Sequence, residues 1–349
     1  MHYALSHFGP VARLLLCAVF SLCISAAILL ILLRTGMAWR LATDIPNDRS
    51  LHTRPTPRVG GWGVIPISAI LIWCLAPALW LPALAAVLLA ILSLIDDRGG
   101  LPARVRFGCH VLAAAAFLVV YPGGMNWWAL ALVAFLLVWL VNLYNFMDGA
   151  DGLAGGMALF GFAGYTIAAL TSAQPNLSLA CACAAVAGAA GGFLLFNIYP
   201  AKVFLGDAGS IPLGFLAGAL GYWGWINGNW PIWFPAIVFS SFIADASVTL
   251  LKRVVRGEKF WQAHREHYYQ RMVRLGMGHG RTALTWYLIM NLGIILAVWL
   301  LRHSAIFQWA AVGVWAVVLV VIGVAIDVCW RRFQSSLSRQ KEVDADASQ

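Results

Sequence analysis

The chain has 349 residues, of which 62% are hydrophobic and only 11% charged, where soluble domains run to about 25% charged. That composition excludes an ordinary soluble enzyme and places the chain in a bilayer. The formal net charge of +9 does not point to nucleic acid, because the basic residues are scattered between apolar spans and lack the aromatic interleaving of a nucleic-acid-binding face.

Apolar runs recur from 14 to 328 with no polar block large enough to fold separately. The expectation is a single all-α membrane domain over 1–349, ending in a polar tail at 330–349. Spans are predicted near 14–33, 62–79, 82–95, 107–121, 127–145, 154–171, 178–196, 211–226, 233–251, 283–301 and 306–329. The first is longer than a signal-peptide core of about 7–15 residues and reads as a retained span. Pro77 and Pro82 bracket a very short turn, which leaves 82–95 a marginal length for a crossing. The seven cysteines all fall within apolar runs and show no CxxC spacing, as packing residues do.

With the N-terminus placed outside, loops 34–61, 96–106, 146–153, 197–210 and 252–282 and the tail share the inner side. They carry every Lys and Arg except Arg13 and Arg302, an asymmetry that the positive-inside rule demands. Every carboxylate also lies in these loops, in the tail or toward the inner end of a span. Chemistry is therefore expected on the inner side.

Asp96 and Asp97 end a span, either as a polar stop or as a solvated, paired or metal-bound pair. Asn145, Asp148 and Asp151 recur every third residue, so a helical turn brings them to one side. Gly149 and Gly152 allow tight backbone there; the segment lacks the ligand ladder and terminal Glu of an EF-hand, which leaves a solvated turn as the simple alternative. Asp207, flanked by glycines just before a span, suits a hard cation beside phosphate oxygens, or is a helix cap. Loop 252–282 sets many Lys and Arg beside Trp261, His264, His267, Tyr268, Tyr269 and His279. Anionic membrane lipids are its simplest partner, while His264 and His267, three apart, are candidates for contact with a pyrophosphate or nucleotide. In the proline-rich first inner loop, either a stiff connector or a phosphate-binding segment, Arg49, His52, Arg54 and Arg58 supply cations at headgroup depth.

Taken together, LIDD at 94–97, NFMDGADG at 145–152, NIYPAKVFLGDAGS at 197–210 and HREHYYQR at 264–271 resemble the polyprenyl-phosphate N-acetylhexosamine-1-phosphate transferase superfamily, over about residues 44–281. The resemblance implies ten or eleven transmembrane helices in a bacterial inner membrane, a cytoplasmic active-site cleft and dependence on magnesium, with manganese as an alternative. It also implies a UDP-sugar donor and an undecaprenyl phosphate acceptor, and it is compatible with a homodimer. Carried over by motif, Asp207 is similar to the metal-binding aspartate, and Asp96 and Asp97 to the paired aspartates given general-base or lipid-phosphate roles. Asn145, Asp148 and Asp151 are similar to the nucleotide and catalytic cluster, Asn197 to a further polar site position, and His264 and His267 to the histidines of the last loop. Lys202, Arg265, His52, Arg54 and Arg58 are the accompanying substrate contacts, although the first loop departs from the family's KxGTPTMGG-like form in having no lysine and an arginine before the proline. The HRxHxYQR form resembles the O-antigen initiators more than the triple-histidine peptidoglycan enzyme. It implies UDP-GlcNAc or a 6-deoxy relative such as UDP-FucNAc or UDP-QuiNAc as donor, and UMP as product.

The reading from a different class is a transporter with an intramembrane carboxylate path. Asp245 is the nearest candidate for such a path, and it is expected instead to be a buried carboxylate that supports the site and pairs with a neighbouring helix.

Overall fold

A computed structural model describes residues 8–46, 51–259, 262 and 264–347, and these form an almost wholly helical bundle. Arg49 and Trp261 lie outside the described residues. In chain order the helices are α1 (Pro10–Arg34), α2 (Met37–Leu41), α3 (Gly60–Leu75), α4 (Trp80–Gly99), α5 (Ala103–Val120), α6 (Trp127–Phe146), α7 (Leu153–Thr171), α8 (Leu177–Asn197), α9 (Asp207–Ile226), α10 (Trp233–Val238), α11 (Ser240–Val255), α12 (Tyr268–Met272), α13 (Gly278–Leu300) and α14 (Ala305–Ala347). Between α2 and α3, two short strands, β1 (Thr43–Asp44) and β2 (Thr56–Pro57), pair antiparallel.

Each of the eleven expected spans has a helical counterpart, and among the described residues 8 helices are long and apolar enough to cross a membrane. The marginal 82–95 segment is in fact the 20-residue α4, about 30 Å at 1.5 Å per residue. Pro82 falls in its first turn, where a missing N–H costs no hydrogen bond, and the helix carries Asp96 and Asp97 within it. The expected single span at 233–251 is broken at Phe239 into α10 and α11. Through the expected polar tail α14 continues, as one helix of 43 residues that ends at Ala347. Part of loop 252–282 is also ordered, as α12 and a π-helical turn, Val273–Met277.

The bundle closes around α8, whose sequence is dominated by Ala, Gly and Cys and whose residues are nearly all buried. Lipid tails are as apolar as leucine, so helices in a bilayer gain from close approach through small residues rather than from expelling water. Gly188 faces the Ala18 carbonyl of α1, and Gly192 faces that of Leu22. Ser21 of α1 donates to the Ala185 carbonyl at 2.6 Å, a polar tie across the same seam. By contrast α14 exposes Val317, Val320, Val321 and Val324 along its length, as a lipid-facing helix does.

A Cβ at Gly188 would overlap backbone rather than a movable side chain. Gly188→Leu should therefore lower the stability by about 1–3 kcal/mol or more, read as a lower melting temperature of the purified protein, whereas Val321→Leu on the exposed face should leave it unchanged.

Candidate active site

At one end of the bundle, four connections and two helix starts converge on a cavity of about 320 Å³. Its floor is a joint between distant parts of the chain. Phe204 N–H donates to the Pro57 carbonyl, and Gly60 and Gly61 donate to Phe204 and Leu205, at 2.8–2.9 Å. Gly61 meets the backbone of Ala208 and Gly209 so closely that any Cβ would overlap it. The start of α3 is thereby locked against the start of α9, and Asp207, the first residue of α9, is brought beneath Arg58. Gly206 holds φ +70° just before it, a left-handed conformation that glycine adopts without strain.

The turn between α6 and α7 forms the facing wall. Tyr144 donates to the Ala154 carbonyl at 2.8 Å, Tyr287 to Gly152 at 2.5 Å and Tyr269 to Phe146 at 3.1 Å. Asn145 accepts from Ser210 at 2.6 Å, so this wall is tied to α9 as well. Asn197 is buried and fully engaged: its carbonyl accepts from Gly152 N–H and its amide donates to Val203, both at 2.9 Å. Asp151 accepts from Ala201 N–H at 3.0 Å and lies 3.4 Å from His279 Nδ1. The His279 ring stacks on Tyr199 and reaches the Leu51 carbonyl through Nε2 at 3.2 Å.

Asp44, Asp148, Asp151 and Asp207 line the cavity, with Arg58 the one Lys or Arg among its described lining residues. Burial pushes the Asp148 carboxyl well above its ordinary range, and the charge of Asp207 pushes it further. Asp207, which precedes the apolar stretch beginning at Ile211, is raised to about 6, first by burial and then by Asp97. Two carboxylates that resist ionisation side by side call for a cation. Among the described residues no cluster of three or more His, Cys, Asp or Glu encloses a metal by protein ligands alone. A hard ion that takes few carboxylates and completes its shell with water and phosphate fits this sparse donor set.

The expected residues divide. Asn145, Asp148, Asp151, Asn197, Asp207, His52 and Arg58 line the cavity. Asp96 and Asp97 do not: Asp96 accepts from Arg106 and from Leu101 N–H, both at 2.7 Å, and Asp97 meets Arg58 at 3.3 Å. They hold arginines at the rim. His264 and His267 also stand outside, their rings 4.8 Å apart. His267 is buried between Phe146 and Tyr269, 3.4 Å from Asp245. Burial lowers the His264 imidazole to about 4, which keeps it neutral. Arg54 and Lys202 are exposed to solvent, and Arg265 does not line the cavity. Asp245 bears out its expected supporting role, accepting from Tyr268 and Tyr269 N–H at 2.7 and 2.9 Å to pin the start of α12.

The model of the glycosyl transferase family 4 matches residues 79–224, which run from α4 through α9 and contain Asp148 and Asp207. A protein of Bacillus subtilis (strain 168) named as a probable undecaprenyl-phosphate N-acetylglucosaminyl 1-phosphate transferase is 26% identical over 271 residues, covering 71% of this chain and 74% of its own. A decaprenyl-phosphate N-acetylglucosaminephosphotransferase of Mycolicibacterium smegmatis is 29% identical over 293 residues, 71% of this chain and 72% of its own. A phospho-N-acetylmuramoyl-pentapeptide-transferase of Geobacillus kaustophilus is 34% identical, over 46% of this chain and 58% of its own. Over residues 79–224, then, the chain is similar to the glycosyl transferase family 4.

Three polar cavity residues escaped the sequence-based expectation as site residues. Asp44 is placed by the pairing of β1 with β2, Gln270 lies inside the HREHYYQR motif one turn after His267, and His279 sits between two glycines at the start of α13.

A cation that bound here would displace protons from Asp148 and Asp207. Both carboxyls are raised in the folded state, so without a cation their ionisation opposes folding as pH rises toward 6 and above, and a bound cation relieves that opposition. Millimolar MgCl2 should raise the melting temperature by several degrees at pH 7.5. The increment should vanish as pH falls through about 6 and be absent at every pH in Asp207→Asn.

Proposed function

We propose that this protein transfers an N-acetylhexosamine-1-phosphate from its UDP-sugar to undecaprenyl phosphate, giving undecaprenyl-diphosphate-sugar and UMP. The observation that carries the reading is the convergence of Asp148, Asp207 and Arg58, from three distant loops, in one cavity at a single end of the bundle. In the reaction an oxygen of the lipid phosphate bonds to the β-phosphorus of the donor. The bond from that phosphorus to the bridging oxygen breaks, and UMP leaves with the oxygen and its electron pair.

The obstacle is electrostatic, because two phosphorylated anions must meet in a partly desolvated cleft. Magnesium, when bound, would supply neutralisation of the diphosphate charge. Asp207 and Asp148 are the residues to hold it. Arg58, oriented by Asp97, is placed to contact a phosphate, and Asn145, fixed by Ser210, to orient the donor. A phosphate monoester loses its second proton near pH 6, so the acceptor needs no strong base. That agrees with Asp96 and Asp97 acting through arginines. His279, set against Asp151, the Leu51 carbonyl and the Tyr199 ring, offers a place for the sugar or uridine.

The asymmetry of Lys and Arg supports a cytoplasmic site and a periplasmic N-terminus in the inner membrane. The relatives named for N-acetylglucosamine align over more of the chain than those named for the muramoyl pentapeptide, which supports UDP-GlcNAc or a 6-deoxy relative as donor. The product then suits initiation of O-antigen or a related envelope polysaccharide. Against transport, the carboxylates in the apolar stretches of α11 and α14 are both satisfied: Asp245 by two backbone N–H groups, and Asp327 by Arg271 at 2.8 Å and by Lys252.

Purified protein given undecaprenyl phosphate and a panel of UDP-N-acetylhexosamines should release UMP only with lipid and magnesium together. EDTA should abolish release, and Asp207→Asn or Asp148→Asn should lower it by about 10²-fold or more in protein that still melts cooperatively. Folded protein that releases no UMP from any donor would overturn the assignment.

A further inference from the structure

A second cavity, of about 380 Å³, lies between α11, α12, α13 and α14 and shares no lining residue with the first. Its walls are apolar, with Val248, Leu319, Ile322 and Ile326 among them. Val320 and Val324 line it and are also exposed on the outer face of α14, so it opens toward lipid. One end is polar. There Lys252 Nζ contacts the Tyr268 hydroxyl at 2.7 Å and pairs with Asp327, while Arg271 meets the same carboxylate at 2.8 Å.

The charges at this end do not balance. Lys252 and Arg271 share the single carboxylate of Asp327, and the buried Nε of Arg271 has no partner. Glu266 lies 3.6 Å from Arg271 and is shared with Arg253 and Arg256, which Glu258 also pairs, while Asp245, the other carboxylate of the lining, accepts from Tyr268 and Tyr269 N–H; with Arg274 the cations still outnumber the carboxylates. Arg274 stacks its guanidinium 4.8 Å from the Trp330 ring, and Arg331 and Arg332 follow exposed on the next turn of α14. An apolar chamber open to the bilayer, with surplus cations and an interfacial tryptophan at one end, is the complement of an anionic amphiphile.

We propose that this cavity binds one anionic bilayer phospholipid, an acyl chain between α11 and α14 and its phosphate on the Lys252, Arg271 and Arg274 side. Water gains nothing in the apolar part, whereas an acyl chain recovers the dispersion contacts that an unfilled wall lacks. The occupant braces Tyr268. Two residues on, Gln270 enters the active-site cavity, and Tyr269 holds the Phe146 carbonyl beside Asp148, so one turn of helix is a wall of both chambers. The inference concerns lipid binding alone and stands apart from the proposed reaction.

The test is native mass spectrometry of the delipidated full-length protein after addition of phosphatidylglycerol or phosphatidylcholine. One phosphatidylglycerol should be retained, at least tenfold in preference to phosphatidylcholine. Gly323→Leu, whose new side chain starts in ordinary contact with Tyr268 and extends into the chamber, should lose it. Val320→Trp, at the lipid-facing mouth, provides the same test should the first variant not fold, and Arg274→Ala should erase the headgroup preference. Retention of no lipid, equal retention of the two lipids, undiminished retention in the folded cavity variants, or displacement by equimolar undecaprenyl phosphate would each overturn the proposal.

Discussion

Everything at the polar end of the bundle depends on a backbone contact between α3 and α9. With hydrogen in place of a side chain, Gly61 and Gly209 let two helix starts touch, and the segment at 57–61 can then trade main-chain hydrogen bonds with 203–205. Backbone polar groups near a bilayer must be satisfied within the protein, and here that requirement is met by joining loops that lie far apart in the chain. The same bonds set Arg58 over Asp207. A methyl group at either glycine would separate the loops before any charged residue was altered.

The joint concentrates like charge. Asp148 and Asp207 are raised above their ordinary range, each first by burial, with the charge of Asp207 adding to it for Asp148 and that of Asp97 for Asp207, and Arg58 is shared with Asp97 at the rim. Such an arrangement is poor for a resting protein and good for receiving a cation and an anionic substrate together, since each relieves the strain imposed by the other. The arginines held by Asp96 and Asp97 are the permanent part of that balance.

Much of this was legible in the sequence. Apolar runs located the membrane helices, and the spacing of Asn145, Asp148 and Asp151 placed all three on one wall. Asp207 was legible because a carboxylate between glycines at the start of a helix has few uses. Less legible was the direction of each side chain. Asp96 and Asp97 sit at the right end of α4 but turn to arginines at the rim, and His267 turns to Asp245 rather than to the cavity that its neighbour Gln270 enters. Those directions follow from contacts between segments that one chain does not reveal by spacing. Asp44 depends on a strand pairing of two residues, too short to show in any pattern. The break at Phe239 and the continuation of α14 past 330 were hidden because hydropathy marks where a helix is buried in lipid, and says little about where its hydrogen bonds stop.

The cavity draws on residues from Asp44 to His279, and this separation orders its assembly. As the chain is synthesised, α1 to α8 can pack along their small-residue seams before the segment at 203–206 exists to dock on 57–61. Until it does, Arg58 has no aspartate beneath it and Asn197 has only half its hydrogen bonds. The wall containing Gln270 and His279 comes later still, after α11 has supplied Asp245 to hold α12. A chain stalled after its eighth or ninth helix would be a well-packed bundle with no active centre, so insertion into the membrane and acquisition of chemistry are separate events in the life of this protein.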